Sequence, residues 1–517
     1  MNKISICILL CSILVYVNVS ANTAYTPMRI MTAMQITADM GAGINLYNTM
    51  DAPTETAWGN PTTTLAMITA WKQKGFKTLR LPVTWNDHLG AAPDYTINPT
   101  WLARVEVIAN YAFANDMYVI INAHHEDWYQ PTSANALAGS DKLTKVWTQI
   151  ANRFKDYSDY LIFETMNEPR VYNASDEWSG GNTASRAIIN QFNLAAVNAI
   201  RNTGGNNPKR FIMTPTYGAN GSSATINDLV IPNNDSLVIV SIHNYSPYSF
   251  ALQVPGVSVW GTASEKSQLS AEMDLLYNKF IKNGRAVVLG EWGAENKNNT
   301  PALVTYYDYY LKAAKSRQIA TVDWMFVFNR STLIWGLPIV MDAIVDPFKP
   351  NYSAVTGLTV SSTINSVAIG KTVQLTATIA PLNATSQAII WTSANLATAT
   401  VNSTGLITGK TAGTVTISAT AIGKSATYKV TVTTITDIKT AKETGILIYP
   451  NPVIDKLNIQ FPGSPSQISL YSMDGKQLIA RNTEDSQMEI DMTSFKSGIY
   501  ILKVKQSGQE VTNKIVK

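Results

Sequence analysis

Two apolar stretches, far apart in the chain, both end in carboxylates. Residues 161–169 read LIFETMNEP, which closes on Glu164, Asn167 and Glu168 with Arg170 next. Residues 286–294, AVVLGEWGA, close around Glu291. Two carboxyls at the ends of buried strands suit glycosidic cleavage, where an acid protonates the leaving oxygen and a second carboxylate assists at the sugar carbon. In the retaining version the carboxyls stand ~5–5.5 Å apart and the second one attacks. The acid then needs a raised pKa, and the nucleophile needs donors or cations around it. Arg80 and Tyr245 are available to serve Glu291. Asn167 can bond a sugar 2-hydroxyl, and His124 and His243 can hold the carboxylates or the sugar.

Each residue also has an ordinary reading. Glu168 alone reads as a solvated loop acid, and Arg80 alone as half of a buried ion pair. His124, His125 and Glu126 are consecutive and raise the question of a metal. Adjacent strand residues face opposite ways, so at most one of these histidines is expected in a pocket. No second ligand set of clear spacing accompanies them, so no metal and no cofactor is expected. His125, Glu126 and Glu164 then read as structural support, and His88 as a surface loop residue. Trp128, Trp178, Trp260 and Tyr248 could each stack a sugar ring or simply pack. Asp323 has no evident role.

What could bring these positions together is a barrel. From about 40 to 330, apolar strand candidates alternate with helical patterns: GINLYN (43–48), TLRLPVTW (78–85), YVIINAHHE (118–126), LIFETMNEP (161–169), FIMTPTYGAN (211–220), VIVSIHNYSP (238–247), AVVLGEWGA (286–294) and TVDWMFVF (321–328). Residues 98–116, 183–202 and 264–284 repeat apolar residues at three and four, with Gly284 as a stop. Eight strands with intervening helices predict a (β/α)8 TIM barrel, in the α/β class, whose strand ends converge on one face. Periodicity leaves a doubly wound open sheet as the alternative.

The chain has 517 residues, 45% of them apolar, so several domains are expected. A net charge of +4 and the lack of a long basic run argue against nucleic acid as a partner. Residues 1–21 read as a secretory signal peptide, too short in its apolar part to span a membrane. Both cysteines, Cys7 and Cys11, fall inside it. No membrane span is expected, and the working unit is expected to be a monomer. Residues 352–434 are rich in Thr, Ser, Ala and Val in alternating patterns, 435–444 read as a linker, and strands resume over 445–517. Two small all-β sandwich-type domains are therefore expected after a catalytic barrel at 25–350.

TLRLPVTW, YVIINAHHEDW, LIFETMNEPR, VSIHNYSPYSFA and VVLGEWGAENK resemble glycoside hydrolase family 5. With ETAWGNP at 55–61 they resemble its subfamily 4, in consistent order over 35–345. The resemblance implies a retaining barrel enzyme with Glu168 as acid/base and Glu291 as nucleophile. It places Arg80, His124, Asn167, His243 and Tyr245 around the sugar at the cleavage point. The eighth strand departs from the usual Trp-Trp-Asp-Asn-Gly-like run; here it reads VDWMFVFNRSTLIWG. Trp324 is the choice for the sugar platform, with Trp335 as the fallback. The 352–434 region resembles a group 2 bacterial Ig-like domain, and 445–517 a C-terminal sorting domain of type IX secretion. The expectation is a secreted or surface-attached endo-β-1,4-glucanase acting on a β-glucan or related polysaccharide, with the secretion machinery reading its tail. A xylanase or mannanase would share the core. A non-catalytic glycan-binding protein and a metal-dependent barrel hydrolase are the other classes.

Overall fold

Strands buried on both faces read as continuous apolar runs, and eight of them build the catalytic region. They are β1 (Gly43–Asn45), β2 (Thr78–Leu81), β3 (Tyr118–Asn122), β4 (Leu161–Glu164), β5 (Ile212–Pro215), β6 (Val238–Asn244), β7 (Val287–Trp292) and β8 (Ala320–Asp323). All pair in parallel and in chain order, and β1 pairs with both β2 and β8, so the sheet closes. Closure excludes the open sheet. The computed structural model describes residues 23–434, 444–463, 466–506 and 509–517. The expected signal peptide, and the linker up to its last residue, lie outside the described residues.

The strands are shorter than their apolar runs. β2 stops at Leu81 although the run continues to Trp85, and β3 stops at Asn122 rather than at 126. β4 stops at Glu164, so Asn167 and Glu168 belong to the loop beyond it. Most of the extra residues stay buried without joining the ladder, His125 being the exposed exception and Glu168 partly buried. Trp85 donates its backbone N–H to Glu126 Oε1 at 2.6 Å and its indole N–H to the Asn122 carbonyl at 2.9 Å. Apolarity reports burial, and at the top of a barrel loops are buried too.

Helices surround the strands and start where side chains can cap them. Asn98 caps Pro99–Phe113, Asn182 caps Thr183–Arg201, and Thr262 with Glu265 forms a capping box on Ala263–Lys279. This last helix ends before the expected stop. A short turn at Ile281–Asn283 follows, and Gly284 closes it at φ 76°, a left-handed position that suits glycine. The helix Ala33–Asp39 plugs the bottom, with Ala33, Ile36 and Met40 packed on Tyr118, Ile120, Ile162 and Val288. Only the top is left for chemistry.

After the barrel come small β-sheets. In 357–433 a four-stranded and a three-stranded sheet enclose Val367, Val373, Ile407, Ile417 and Val430. In 447–516 a three-stranded sheet contributes Leu457, Ile459 and Ile490, and a four-stranded one Ile468, Leu470, Leu502 and Val504, to a shared core. The Ig-like region touches the barrel. Ile422 is 5% exposed within the barrel's own apolar cluster, and Ala388 and Ile390 pack against it. No helix among the described residues is long and apolar enough to cross a membrane.

Candidate active site

The top of the barrel holds a cleft of about 700 Å³. Under it lies Arg80 of β2, fully buried and with its donors committed. Nε donates to Glu164 Oε2 at 2.8 Å, Nη1 to Asn45 Oδ1 and Glu291 Oε1 at 2.9 Å each, and Nη2 to Asn167 Oδ1 at 2.7 Å. Burial opposes its charge, but Glu164 and Glu291 more than offset this and hold it protonated. Glu164 also accepts from Ser241 Oγ at 2.6 Å and Asn122 Nδ2 at 3.0 Å. It is a buried counter-charge, as expected of a supporting residue.

Glu291 on β7 accepts from Arg80 and, at 3.0 Å, from the Tyr245 hydroxyl. Glu168 stands opposite: one of its oxygens and one of Glu291's lie within 4.8 Å of each other. His243 sits between them, with Nδ1 at 2.8 Å from Glu168 Oε1 and 3.6 Å from Glu291 Oε2. Gly290 makes this possible, because a Cβ there would come 3.1 Å from His243 Nε2.

The expected raised pKa of the acid is reversed in this arrangement. Burial pushes the Glu168 carboxyl up, but the hydrogen bond and charge of His243, then Arg170 and Arg80, outweigh it and hold it below the usual range. Burial works against the His243 imidazolium, yet Glu291 and Glu168 outweigh that and raise its pKa. The proton of this pair therefore rests on the imidazole.

His124 is neutral, pushed well down by burial and then by the neighbouring cations. Its Nδ1 lies 3.1 Å from Asn122 Nδ2, which leaves Nε2 to donate. Its ring lies parallel to Trp324, 5.7 Å between centres. The expectation that at most one histidine faces the pocket is corrected: His124 and His125 both line the cleft. β3 ends at Asn122, so strand alternation no longer governs them.

Trp324 follows β8, its N–H bound to the Trp292 carbonyl at 2.9 Å, and lines the cleft. Trp335, the fallback, packs on Phe76 and Phe328 instead. Trp178 and Tyr248 line the cleft and are 60% and 64% exposed. Trp128 donates to Glu126 at 2.7 Å, and Trp260 is buried against Tyr306 and Tyr309, so these two are packing. His88 stacks on Trp101. Asp323 is buried with Tyr307 O–H at 3.2 Å, and burial pushes it up to about 7.

Asn45, Asn122 and Ser241 escaped sequence reasoning. Each is a polar residue inside a fully buried strand segment. Buried polar groups need partners, and that anomaly was the available signal. Among the described residues two clusters have metal-like spacing, Glu168–His243–Glu291 and Asp51–His124–His125. In the first the cation is already supplied by Arg80. In the second Asp51 accepts the N–H groups of Asn48 and Thr49 at 2.8 and 2.5 Å.

Residues 40–329 match the cellulase family, glycosyl hydrolase family 5. Residues 354–434 match the group 2 bacterial Ig-like domain, and 447–517 the secretion system C-terminal sorting domain. This last match indicates export by type IX secretion. The chain is 55% identical over 346 residues to endoglucanase B of Clostridium cellulovorans, across 64% of this chain and 79% of that protein. A solved subfamily 4 broad specificity endoglucanase from Clostridium acetobutylicum superposes with TM-score 0.60 at 49% identity, covering 61% of this chain and 99% of the other. A second, from Ruminococcus champanellensis with bound cellotriose, has TM-score 0.60 at 44% identity, covering 62% and 100%. A closed barrel with paired carboxyls at its top, and a family match over more than half its length, place the chain in glycosyl hydrolase family 5, to which it belongs.

Proposed function

We propose that the protein is a secreted retaining endo-β-1,4-glucanase with Glu168 as acid/base and Glu291 as nucleophile. The observation that carries this is the approach of the two carboxyls to within 4.8 Å with an imidazole between them. So close an approach supports a retaining pair, at ~5–5.5 Å, over an inverting one, at ~6.5–9.5 Å. Arg80 and Tyr245 each donate a hydrogen bond to Glu291 and aim it as the nucleophile. The proton on His243 Nδ1 is one hydrogen bond from Glu168 and supplies it for the leaving oxygen. As that C–O bond breaks, Glu291 bonds to the sugar carbon. Glu168, now ionised, takes a proton from water, whose oxygen attacks the same carbon and releases Glu291.

His124, Asn167 and Trp324 surround the sugar at the cleavage point. The cleft is open and rimmed by exposed rings, which favours gripping the interior of a chain over a chain end. The relatives described as broad specificity endoglucanases support β-1,4-linked glucans as the substrate class, with mixed-linkage glucan and xyloglucan within it. The site is complete within one chain, consistent with a monomer. Glu168→Gln and Glu291→Gln should each lower reducing-end release from glucan by at least about 10²-fold. Full activity in either ends the assignment. A panel of glucan, xyloglucan, xylan and mannan reads the specificity, and binding without hydrolysis would mark a glycan-binding protein instead.

A further inference from the structure

Arg170 takes part in none of the steps above, yet it is anchored on every side. Its guanidinium lies 4.0 Å from the centre of the Trp178 ring and 4.9 Å from that of Tyr172. Nη1 donates to the Glu168 main-chain carbonyl at 3.0 Å and reaches Glu168 Oε2 at 3.4 Å. Nε donates to Glu177 Oε1 at 2.9 Å, and Glu177 Oε2 accepts the Asn173 N–H at 2.8 Å. A planar guanidinium can stack by its face and hydrogen-bond by its edge at once, which an ammonium cannot do. One side chain thus ties the acid/base candidate to the loop that carries an indole of the cleft wall. That indole stays 60% exposed, so the cation covers one face and leaves the other to the cleft.

Given the role proposed for Glu168, on which this rests, the acid lies on the side of the departing sugar. Trp178 lines the same cleft and is tied to that acid through Arg170. An indole face open to a cleft suits the apolar face of a β-linked pyranose. We propose that Arg170 is a positioning residue that couples a leaving-side sugar platform, Trp178, to the carboxyl of Glu168. A pyranose seated on the indole then fixes the plane of the guanidinium, and with it the angle from which Glu168 delivers its proton. The charged and titratable groups around that carboxyl are Arg170 and Tyr172 on its own loop, His125 from the turn after β3, His243 and Tyr245 from β6 and its end, Arg80 from β2 and Glu291 from β7.

The test compares R170M, R170K, W178A and the R170M/W178A double variant in the full chain. Each is assayed on β-glucan and on dinitrophenyl β-cellobioside, whose leaving group departs without a proton. R170M should lower kcat/KM on glucan by roughly tenfold and on the activated substrate by no more than about threefold. R170K, which keeps the charge without the planar stack, should recover less than half of the loss. On glucan the double variant should be no more than about twofold worse than the worse single one, because the two residues act as one unit. Loss of the Arg170 charge should also move the basic limb of the pH profile upward, since that charge disfavours the proton that His243 and Glu168 share. Equal losses on both substrates, or additive losses in the double variant, overturn the coupling and leave the role of Glu168 standing. Full activity of E168Q on glucan would instead remove the role itself. If melting curves show R170M misfolded, R170K carries the same comparison.

Discussion

His243 concentrates the electrostatics of the site in one side chain. Its Nδ1 serves two carboxylates, and among the described residues its Nε2 has no hydrogen-bond partner. Because its pKa is raised, the pair keeps its proton to a higher pH than a free imidazole would, and bond cleavage is lost as pH rises through that value. His243→Asn removes the imidazole and leaves Glu168 to hold the proton alone. The basic limb of kcat/KM should then move to lower pH, with a loss of about tenfold or more at neutral pH. A profile unchanged in position would show that the proton is stored elsewhere. The same side chain explains why the acid has no raised pKa of its own: a neighbouring base holds the proton for it.

At the level of strands, the site depends on small or polar residues in otherwise apolar segments. Asn45, Ser241 and Asn122 bond Arg80, Glu164 and His124 from inside β1, β6 and β3. Gly290 of β7 leaves space for the imidazole beside it. Gly290→Ala would press a methyl group on His243 while β7 keeps its ladder. We expect kcat to fall roughly ten- to hundredfold, as for small displacements of catalytic groups, with a melting temperature close to that of the parent. A large loss of melting temperature with normal kcat per folded molecule would show that the contact is only packing. The overlong strand readings have the same origin. Trp85, Ala123 and Met166 are buried beyond their strands, and a linear pattern cannot separate burial in a sheet from burial under a loop.

Across the whole molecule, the Ig-like region is seated on the barrel instead of hanging from it. Ile422 inserts into the barrel's cluster, and Ala388 and Ile390 flank it. The neighbouring Gly423, at φ 69°, brings its turn against Asp308 of the helix Thr300–Ser316. Ile422→Asp would bury a charge with no partner at this seam, and should cost about 2–4 kcal/mol of stability. Calorimetry should show the barrel transition lowered and separated from that of the Ig-like region. An unchanged single transition would mean that the seam carries no load. The sorting domain keeps its own core, so it can be read by export machinery without disturbing the cleft.

The order of strands, the carboxyl that follows strand four and the one on strand seven, and the choice of Arg80, His124, Asn167, His243 and Tyr245 as candidates beside them came from the chain alone, whereas Asn45, Asn122 and Ser241 did not. Each feature so read is a local signal: an apolar run, a cap, or a polar residue where burial is otherwise uniform. Trp324 could be chosen over Trp335 only as a preference, because both follow the eighth strand and only packing separates them. Closure of the sheet, the turn that brings both His124 and His125 into the cleft, and the proton resting on His243 instead of Glu168 were decided by tertiary structure. So was the bridge from Arg170 to Trp178. Burial and Coulomb terms depend on distances between residues remote in sequence, and those distances exist only once the barrel has closed.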